Sequence, residues 1–132
     1  MPIINLDKKT RLATKVSKAD SFLTRLLGLL NRKELGPEEA LWLAPSKGIH
    51  TVGMKFPIDV VFLDRSNKVV DAIPALAPYR ATGICLTAYS ALELPKGTIR
   101  KSRTEAGDRL DISLAESSVA DDLRETELNK GG

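Results

Sequence analysis

The side chains of this sequence that could carry acid-base chemistry are few. His50 is the single histidine among 132 residues, and an imidazole is the side chain whose unperturbed pKa lies near neutrality. A proton-transfer reaction would therefore centre on His50, with the carboxylate of Asp59 or Glu93 as its partner. If Asp59 and Glu93 lie on adjoining strands, their carboxylates could also form the pair that glycoside hydrolysis requires. His50, Asp59 and Glu93 are thus the candidate catalytic residues.

Structural roles are the simpler interpretation of the same side chains. A lone histidine in an apolar stretch is more often packed or hydrogen-bonded than catalytic. Asp59 lies between apolar residues, so we expect a partly buried carboxylate that accepts backbone N–H groups. Lys55, four residues earlier, could form an ion pair with it. Glu93 alternates with two leucines, and we expect it to be exposed.

Other kinds of site find little support. One cysteine, Cys85, excludes a disulfide framework, and a buried inert thiol is the expected state. One histidine and one cysteine exclude the three-histidine and Cys/His-rich metal sites built from this chain alone. Asp59, Asp64 and Glu93 do not form an acidic loop with the spacing of a calcium site. The chain has no phosphate-binding glycine loop and no Gly-x-Ser-x-Gly nucleophile motif. We therefore expect no metal and no cofactor, and the sequence favours a protein that is not an enzyme.

Charge is unevenly distributed along the chain. The formal net charge is +3, but residues 1–33 contain eight basic and two acidic residues, whereas residues 114–132 contain two basic and five acidic ones. The basic residues at the start alternate with apolar ones and lack aromatic neighbours, so they favour a solvated face over nucleic-acid binding. No stretch approaches the roughly 18 apolar residues of a membrane span, and no leader is recognisable. The sequence predicts a soluble, cytoplasmic protein.

The elements that must position these residues are mainly strands. Short alternating or apolar runs are separated by turn residues, which predicts a β-rich α+β domain that forms a compact sandwich or a partly closed barrel. One domain is expected over residues 1–114, followed by an acidic tail over 115–132 that is a frayed helix or disordered. The predicted elements are a hairpin of Ile4–Leu6 and Leu12–Val16, one short helix at Phe22–Leu30, a buried strand at Leu41–Leu43, a central extended segment at Ile49–Leu63 paired with Lys68–Ile73, and strands at Tyr89–Leu94 and Arg109–Leu114.

A binding surface is the leading functional hypothesis. Tyr79 and Arg80 lie in a loop bounded by prolines, and Trp42 is a further aromatic of the kind that anchors partners. The sequence predicts a non-enzymatic domain that binds a small molecule or a protein near His50–Lys55, Asp59 and Tyr79–Arg80. The alternative is an acid-base enzyme that acts on a small polar or carbohydrate substrate.

The run from Gly48 to Asp64, GIHTVGMKFPIDVVFLD, resembles the central block of the Domain of Unknown Function 192 family, an uncharacterised prokaryotic group. Flanking blocks at Arg25–Arg32, Leu92–Thr98 and Gly107–Arg109 are also similar to that family. The resemblance implies a mainly β domain of jelly-roll-like character with a short helix near its start, and it implies no reaction or ligand. Relatives often carry a cysteine shortly before the histidine, where this chain has Pro45-Ser46-Lys47, so a role for that thiol does not transfer.

Overall fold

The computed structural model describes residues 2–19, 35–52 and 54–112. The predicted helix at Phe22–Leu30 and the tail at 115–132 lie outside these residues. The described part contains eight strands, β1 (Ile3–Asn5), β2 (Thr10–Ala13), β3 (Lys15–Ala19), β4 (Glu39–Leu43), β5 (Ile58–Leu63), β6 (Val69–Leu76), β7 (Ser90–Pro95) and β8 (Leu110–Asp111), and a short helix α1 that spans Thr98–Ser102. The strands form two sheets, with orders β2-β1-β8 and β3-β4-β7-β5-β6.

The five-stranded sheet is built around β5 and β7. Every residue of β5 is buried, as expected of a strand with apolar residues on both faces and neighbours on both sides. β5 pairs antiparallel with β7 on one side and with β6 on the other. Only β3 and β4 pair in parallel, so within the described strands the sheet is almost wholly antiparallel.

Two apolar clusters lie on opposite faces of the five-stranded sheet. One contains Val61 and Leu63 of β5 and packs against the three-stranded sheet, which contributes Ile3 and Leu110. The other contains Ile58, Val60 and Phe62 of β5 and is covered by chain outside the strands, including Ile49, Met54 and Phe56. Alternation along β5 produces this division. Each face of the sheet is therefore covered by other parts of the chain.

A largely buried polar network joins the hairpin of β1 and β2 to the segment between α1 and β8. The amide of Asn5 donates to Thr104 Oγ1 at 3.1 Å and to Asp108 Oδ2 at 2.9 Å, and Lys8 Nζ donates to both Asp108 oxygens at 3.0 Å. Burial alone would raise the pKa of the Asp108 carboxyl, but hydrogen bonds from Asn5, Lys8 and the backbone N–H of Glu105 outweigh it and hold the pKa below its ordinary value of 3.8. The hydrogen bonds that Lys8 Nζ donates to the carboxylates of Asp108 and Glu105 raise the pKa of Lys8.

The predicted mainly β fold is confirmed, and the strands form two sheets rather than a closed barrel in the described part. Two details of the prediction were wrong. The extended segment expected from Ile49 is a strand only from Ile58, because Pro57 has no N–H for the ladder and the preceding residues fold over the sheet as a loop. The segment between the strands predicted at Tyr89–Leu94 and Arg109–Leu114, for which the sequence predicted no element, contains the helix α1, which the turn residues around it concealed. None of the described helices is long and apolar enough to cross a membrane.

Candidate functional site

Two segments that cover the sheet are hydrogen-bonded to each other, and we call residues 46–52 and 79–86 the loop pair. Cys85 N donates to Lys47 O at 2.7 Å, Thr82 N to Ile49 O at 2.9 Å, and Thr51 N to Arg80 O at 2.8 Å. These bonds run antiparallel along both segments, and His50 and Ala81 form an isolated β-bridge between them. The loop pair is therefore an irregular ribbon whose two segments are joined by backbone hydrogen bonds along their length.

A close approach of the two backbones fixes the middle of the loop pair. A Cβ atom placed on Gly48 would lie 2.9 Å from the carbonyl oxygen of Gly83. That distance is shorter than carbon and oxygen can approach without displacement, so Gly48 is required by space rather than by its φ angle. Gly83 itself has φ of 76°, a conformation that L side chains rarely adopt.

Thr51 is the side chain that clamps the loop pair together, and the sequence did not single it out. It is fully buried; its hydroxyl donates to Ala77 O at 2.6 Å and accepts the Arg80 N–H at 2.9 Å. Its backbone carbonyl accepts the Tyr79 N–H at 3.0 Å. The threonine therefore closes the turn that presents Tyr79 and Arg80. Its one signal in the sequence was a small polar side chain in a mainly apolar stretch.

The structure brings His50, Tyr79 and Arg80 to the loop pair. His50 is half-buried, and its Nδ1 accepts the Val52 N–H at a long 3.4 Å. Tyr79 is 69% exposed and has φ of 61°, so the turn held by Thr51 keeps its ring in solvent. The extended segment expected from Ile49 would place His50, Val52 and Met54 on one face, but Val52 is exposed and Met54 is buried.

Exposed aliphatic side chains accompany these residues. Ile84 and Leu86 are each 78% exposed and Val52 is 53% exposed. Ile84 and Leu86 flank Cys85, whose half-buried thiol packs towards the core and lies 3.8 Å from Thr87 Oγ1. If the Cys85 side chain points towards the core, strand-like alternation turns its two neighbours, Ile84 and Leu86, towards solvent. This pattern in the sequence could have predicted their exposure.

The charged side chains in the loop pair and beside it in the chain are all basic. Residues 44–57 and 77–89 contain Lys47, Lys55 and Arg80 but neither aspartate nor glutamate, and all three cations are exposed. Lys47 Nζ donates to Leu86 O at 3.1 Å. A cleft of about 380 Å³ adjoins this end and is lined by Lys47, Leu86, Asp64 and Arg65 among others; Asp64 Oδ1 there accepts the backbone N–H groups of Ser66 and Lys68. The surface is therefore apolar and cationic.

Asp59 is separate from the loop pair and is held by backbone donors. It is 1% exposed on the face of β5 that carries Val61 and Leu63. Its Oδ1 accepts the Ala75 N–H at 2.9 Å, and its Oδ2 accepts the N–H groups of Gly97 at 3.2 Å and Ile99 at 2.8 Å. The carboxylate thus ties the bend in β6 and the start of α1 to the central strand. The ion pair expected with exposed Lys55 does not form.

Glu93 is buried, and the expectation that it is exposed was wrong. It is 0% exposed in β7, where it lies opposite Leu41 of β4 and Val60 of β5. Asp59 lies opposite Leu94 in the same register. Adjacent positions of an antiparallel pair point to opposite faces, so the two carboxylates do lie on adjoining strands but project from opposite faces of the sheet. The structure does not bring them together as a pair.

Trp42, the further aromatic candidate, lies in the core. Trp42 is 5% exposed between the sheets, with Lys18 Nζ 5.3 Å from the centre of its ring, so it is not part of a binding surface. Within the described residues, no group of three or more His, Cys, Asp or Glu side chains could hold a metal ion.

Comparison with known proteins places this architecture in a family. The model of the DUF192 family, described as an uncharacterized ACR, matches residues 3–112. A UPF0127 protein of Pyrococcus furiosus is 33% identical over 115 residues, which are 83% of this chain and 96% of the relative. A protein of unknown function from Novosphingobium aromaticivorans superposes with a TM-score of 0.70 at 19% identity, over 84% of each chain.

A second crystal structure has the same fold. It is that of a Sinorhizobium meliloti protein described as a candidate transcription regulator, and it superposes with a TM-score of 0.68 at 18% identity, over 83% of this chain and 89% of that one. At such identity the likeness concerns the fold alone. The family match over residues 3–112, together with the identity to the Pyrococcus relative, shows that this chain belongs to the DUF192 family, as the run from Gly48 to Asp64 predicted.

Proposed function

We propose that this protein is a non-enzymatic binding domain and that the loop pair is its contact surface. One observation carries the proposal. In the described part of the chain, five large hydrophobic side chains are exposed, and four of them, Val52, Tyr79, Ile84 and Leu86, belong to the loop pair. Scattered exposed hydrophobics need no explanation, but a concentration of them on one structural unit is typical of an interaction surface.

The rigidity of the loop pair supports the same proposal. Backbone hydrogen bonds join its two segments at Lys47, Ile49 and Thr51, and buried Thr51 fixes the turn that carries Tyr79. A surface that is already ordered loses less conformational entropy when it binds. The loop pair therefore combines exposed apolar area with preorganisation, which a merely unpacked loop lacks.

The geometry weighs against the acid-base alternative. That hypothesis needs a carboxylate that works with His50, but both oxygens of Asp59 already accept backbone N–H groups on the other face of the sheet. Glu93 faces the apolar cluster that Ile49 and Met54 cover, but it is 0% exposed, so a dissolved substrate does not reach its carboxylate. Between the two partner classes that the sequence left open, the extended exposed surface favours a partner larger than a small molecule.

Photo-cross-linking in cells tests the proposal. Benzoylphenylalanine is incorporated at Ile84 and, as a matched control, at exposed Asp71 of β6. We expect a specific product, protein or lipid, from position 84 and none from position 71. The captured partner must then bind the purified protein directly, with affinity reduced about tenfold or more in Ile84→Ser/Leu86→Ser. Equal background products at both positions would refute the proposal.

A further inference from the structure

We infer that the partner of the loop pair is an anionic lipid surface, on which the exposed aliphatic side chains insert and the cations contact headgroups. This inference rests on the proposed function and names the partner of the same surface. It depends on three properties of the loop pair: the kind of apolar residues, the sign of the charge, and the pairing of the backbone.

The apolar residues are mostly aliphatic. Ile84, Leu86 and Val52 are exposed, with Tyr79 as the single aromatic. Protein-binding hot spots are enriched in tryptophan, tyrosine and arginine, whereas leucine and valine are under-represented in them. A membrane interface instead gains free energy in proportion to the apolar area that enters it, with no need for a complementary pocket. The composition therefore favours a bilayer over a protein.

The charged residues fit an anionic surface. Lys47, Lys55 and Arg80 are exposed, and the two covering segments, residues 44–57 and 77–89, contain no carboxylate. Each lysine or arginine close to an anionic membrane strengthens binding by about fivefold. Long basic side chains can lie along the apolar interface while their charged ends reach the headgroups. Aliphatic and cationic side chains can therefore bind the same surface together.

Backbone hydrogen bonds across the loop pair lower the cost of inserting it. A backbone N–H or C=O without a partner is strongly disfavoured where water is scarce. In the loop pair, Lys47 O, Ile49 O and Arg80 O each accept an N–H from the other segment. The N–H of Cys85, between Ile84 and Leu86, therefore stays bonded to Lys47 O while these two side chains enter the interface.

Vesicle sedimentation tests the inference with the full chain. The probes are vesicles of phosphatidylcholine alone and vesicles with about three phosphatidylglycerol molecules in ten lipids, in about 0.1 M salt. We expect binding to the anionic vesicles and at least about tenfold weaker binding to the neutral ones. Ile84→Ser/Leu86→Ser should weaken binding to anionic vesicles by at least about tenfold, and Lys47→Gln/Arg80→Gln by about 25-fold.

Matched variants outside the loop pair serve as controls. Leu6→Ser removes the fifth exposed hydrophobic, and Lys9→Gln/Lys101→Gln removes two exposed cations elsewhere. Both should bind within about twofold of the unmodified protein, and circular dichroism checks that every variant is folded. Absence of binding to anionic vesicles overturns the inference, and so does equal weakening by loop-pair and control variants. A protein cross-linked at position 84 without vesicle binding would leave the proposed function standing and refute the lipid partner.

Discussion

Replacement of Asp59 should destabilise the fold strongly although the residue contacts no exposed surface. Its carboxylate accepts three backbone N–H groups, from Ala75, Gly97 and Ile99. In Asp59→Ala these donors lose their acceptor. A buried donor without a partner costs about 1–3 kcal/mol, and more where the lost acceptor is charged. Because α1 can shift and admit water near Gly97, we expect a total loss of about 3–5 kcal/mol in the free energy of unfolding.

Two further variants make this prediction specific. Asp59→Asn keeps one oxygen but turns an NH₂ group towards the remaining donors, so it should cost about 2–4 kcal/mol, most of the alanine effect. Asp71→Ala is the control, because Asp71 is an exposed aspartate on the neighbouring strand whose Oδ1 accepts only the Ala72 N–H at 2.9 Å. It should change stability by less than about 0.5 kcal/mol.

Urea unfolding followed by circular dichroism measures all three free energies by linear extrapolation. The m-value should stay constant if the folded states remain equally compact. An Asp59→Ala protein within about 1 kcal/mol of the unmodified one would show that the backbone donors do not depend on the carboxylate. That result would refute the structural assignment of Asp59 and restore it as a candidate for chemistry.

Three other substitutions test the polar network at Asp108, the hydrogen bonds of Thr51 and the close approach of Gly48 to Gly83. Because the pKa of Asp108 is lowered in the folded state, its contribution to stability is present above the ordinary value of 3.8 and is lost as pH falls through the lowered pKa; urea unfolding should therefore show that Asp108→Asn costs more at neutral pH than at about pH 2. Thr51→Val should speed amide hydrogen exchange at Arg80, whereas Thr51→Ser should not, since the serine hydroxyl keeps the hydrogen bond; equal exchange in both variants would contradict the clamp. Gly48→Ala should cost about 1–3 kcal/mol in urea unfolding because its methyl group meets the Gly83 carbonyl, and a stability equal to that of the unmodified protein would show that the loops separate without cost.

The strands were predictable because their apolar pattern is local. Within the predicted segment Ile49–Leu63, the sequence alternation of Ile58, Val60 and Phe62 with Asp59, Val61 and Leu63 corresponds to the two faces of β5. The turn that joins this segment to Lys68–Ile73 is local as well, since the Asp64 hydrogen bond and the positive φ of Asn67 are properties of the turn itself. Such features depend on neighbouring residues in the chain, which a sequence displays.

Burial of the carboxylates was only partly predictable, because it depends on strand order. Glu93 reads as one polar residue between leucines, a pattern that an exposed face produces equally well. The central position of β7 between β4 and β5 covers its edges, and the chain packed on each side of the sheet covers both of its faces. Thr51 was missed for a similar reason, since its partners Ala77 and Arg80 are 26 and 29 residues away in the chain. A single sequence contains no record of such distant contacts.

The residues that hold the loop pair together and those proposed to bind a partner are different, and this separation supports the proposed contact surface. The residues that hold it, Thr51 and Gly48, are fixed by burial or by the close approach of another backbone. The side chains that it presents, Ile84 and Leu86, are mostly solvated, so the folded state gains little from them. Both faces of the five-stranded sheet are already covered by the chain. Since exposed aliphatic side chains add little stability and reduce solubility, a partner that covers them would account for their place on this ribbon, as proposed.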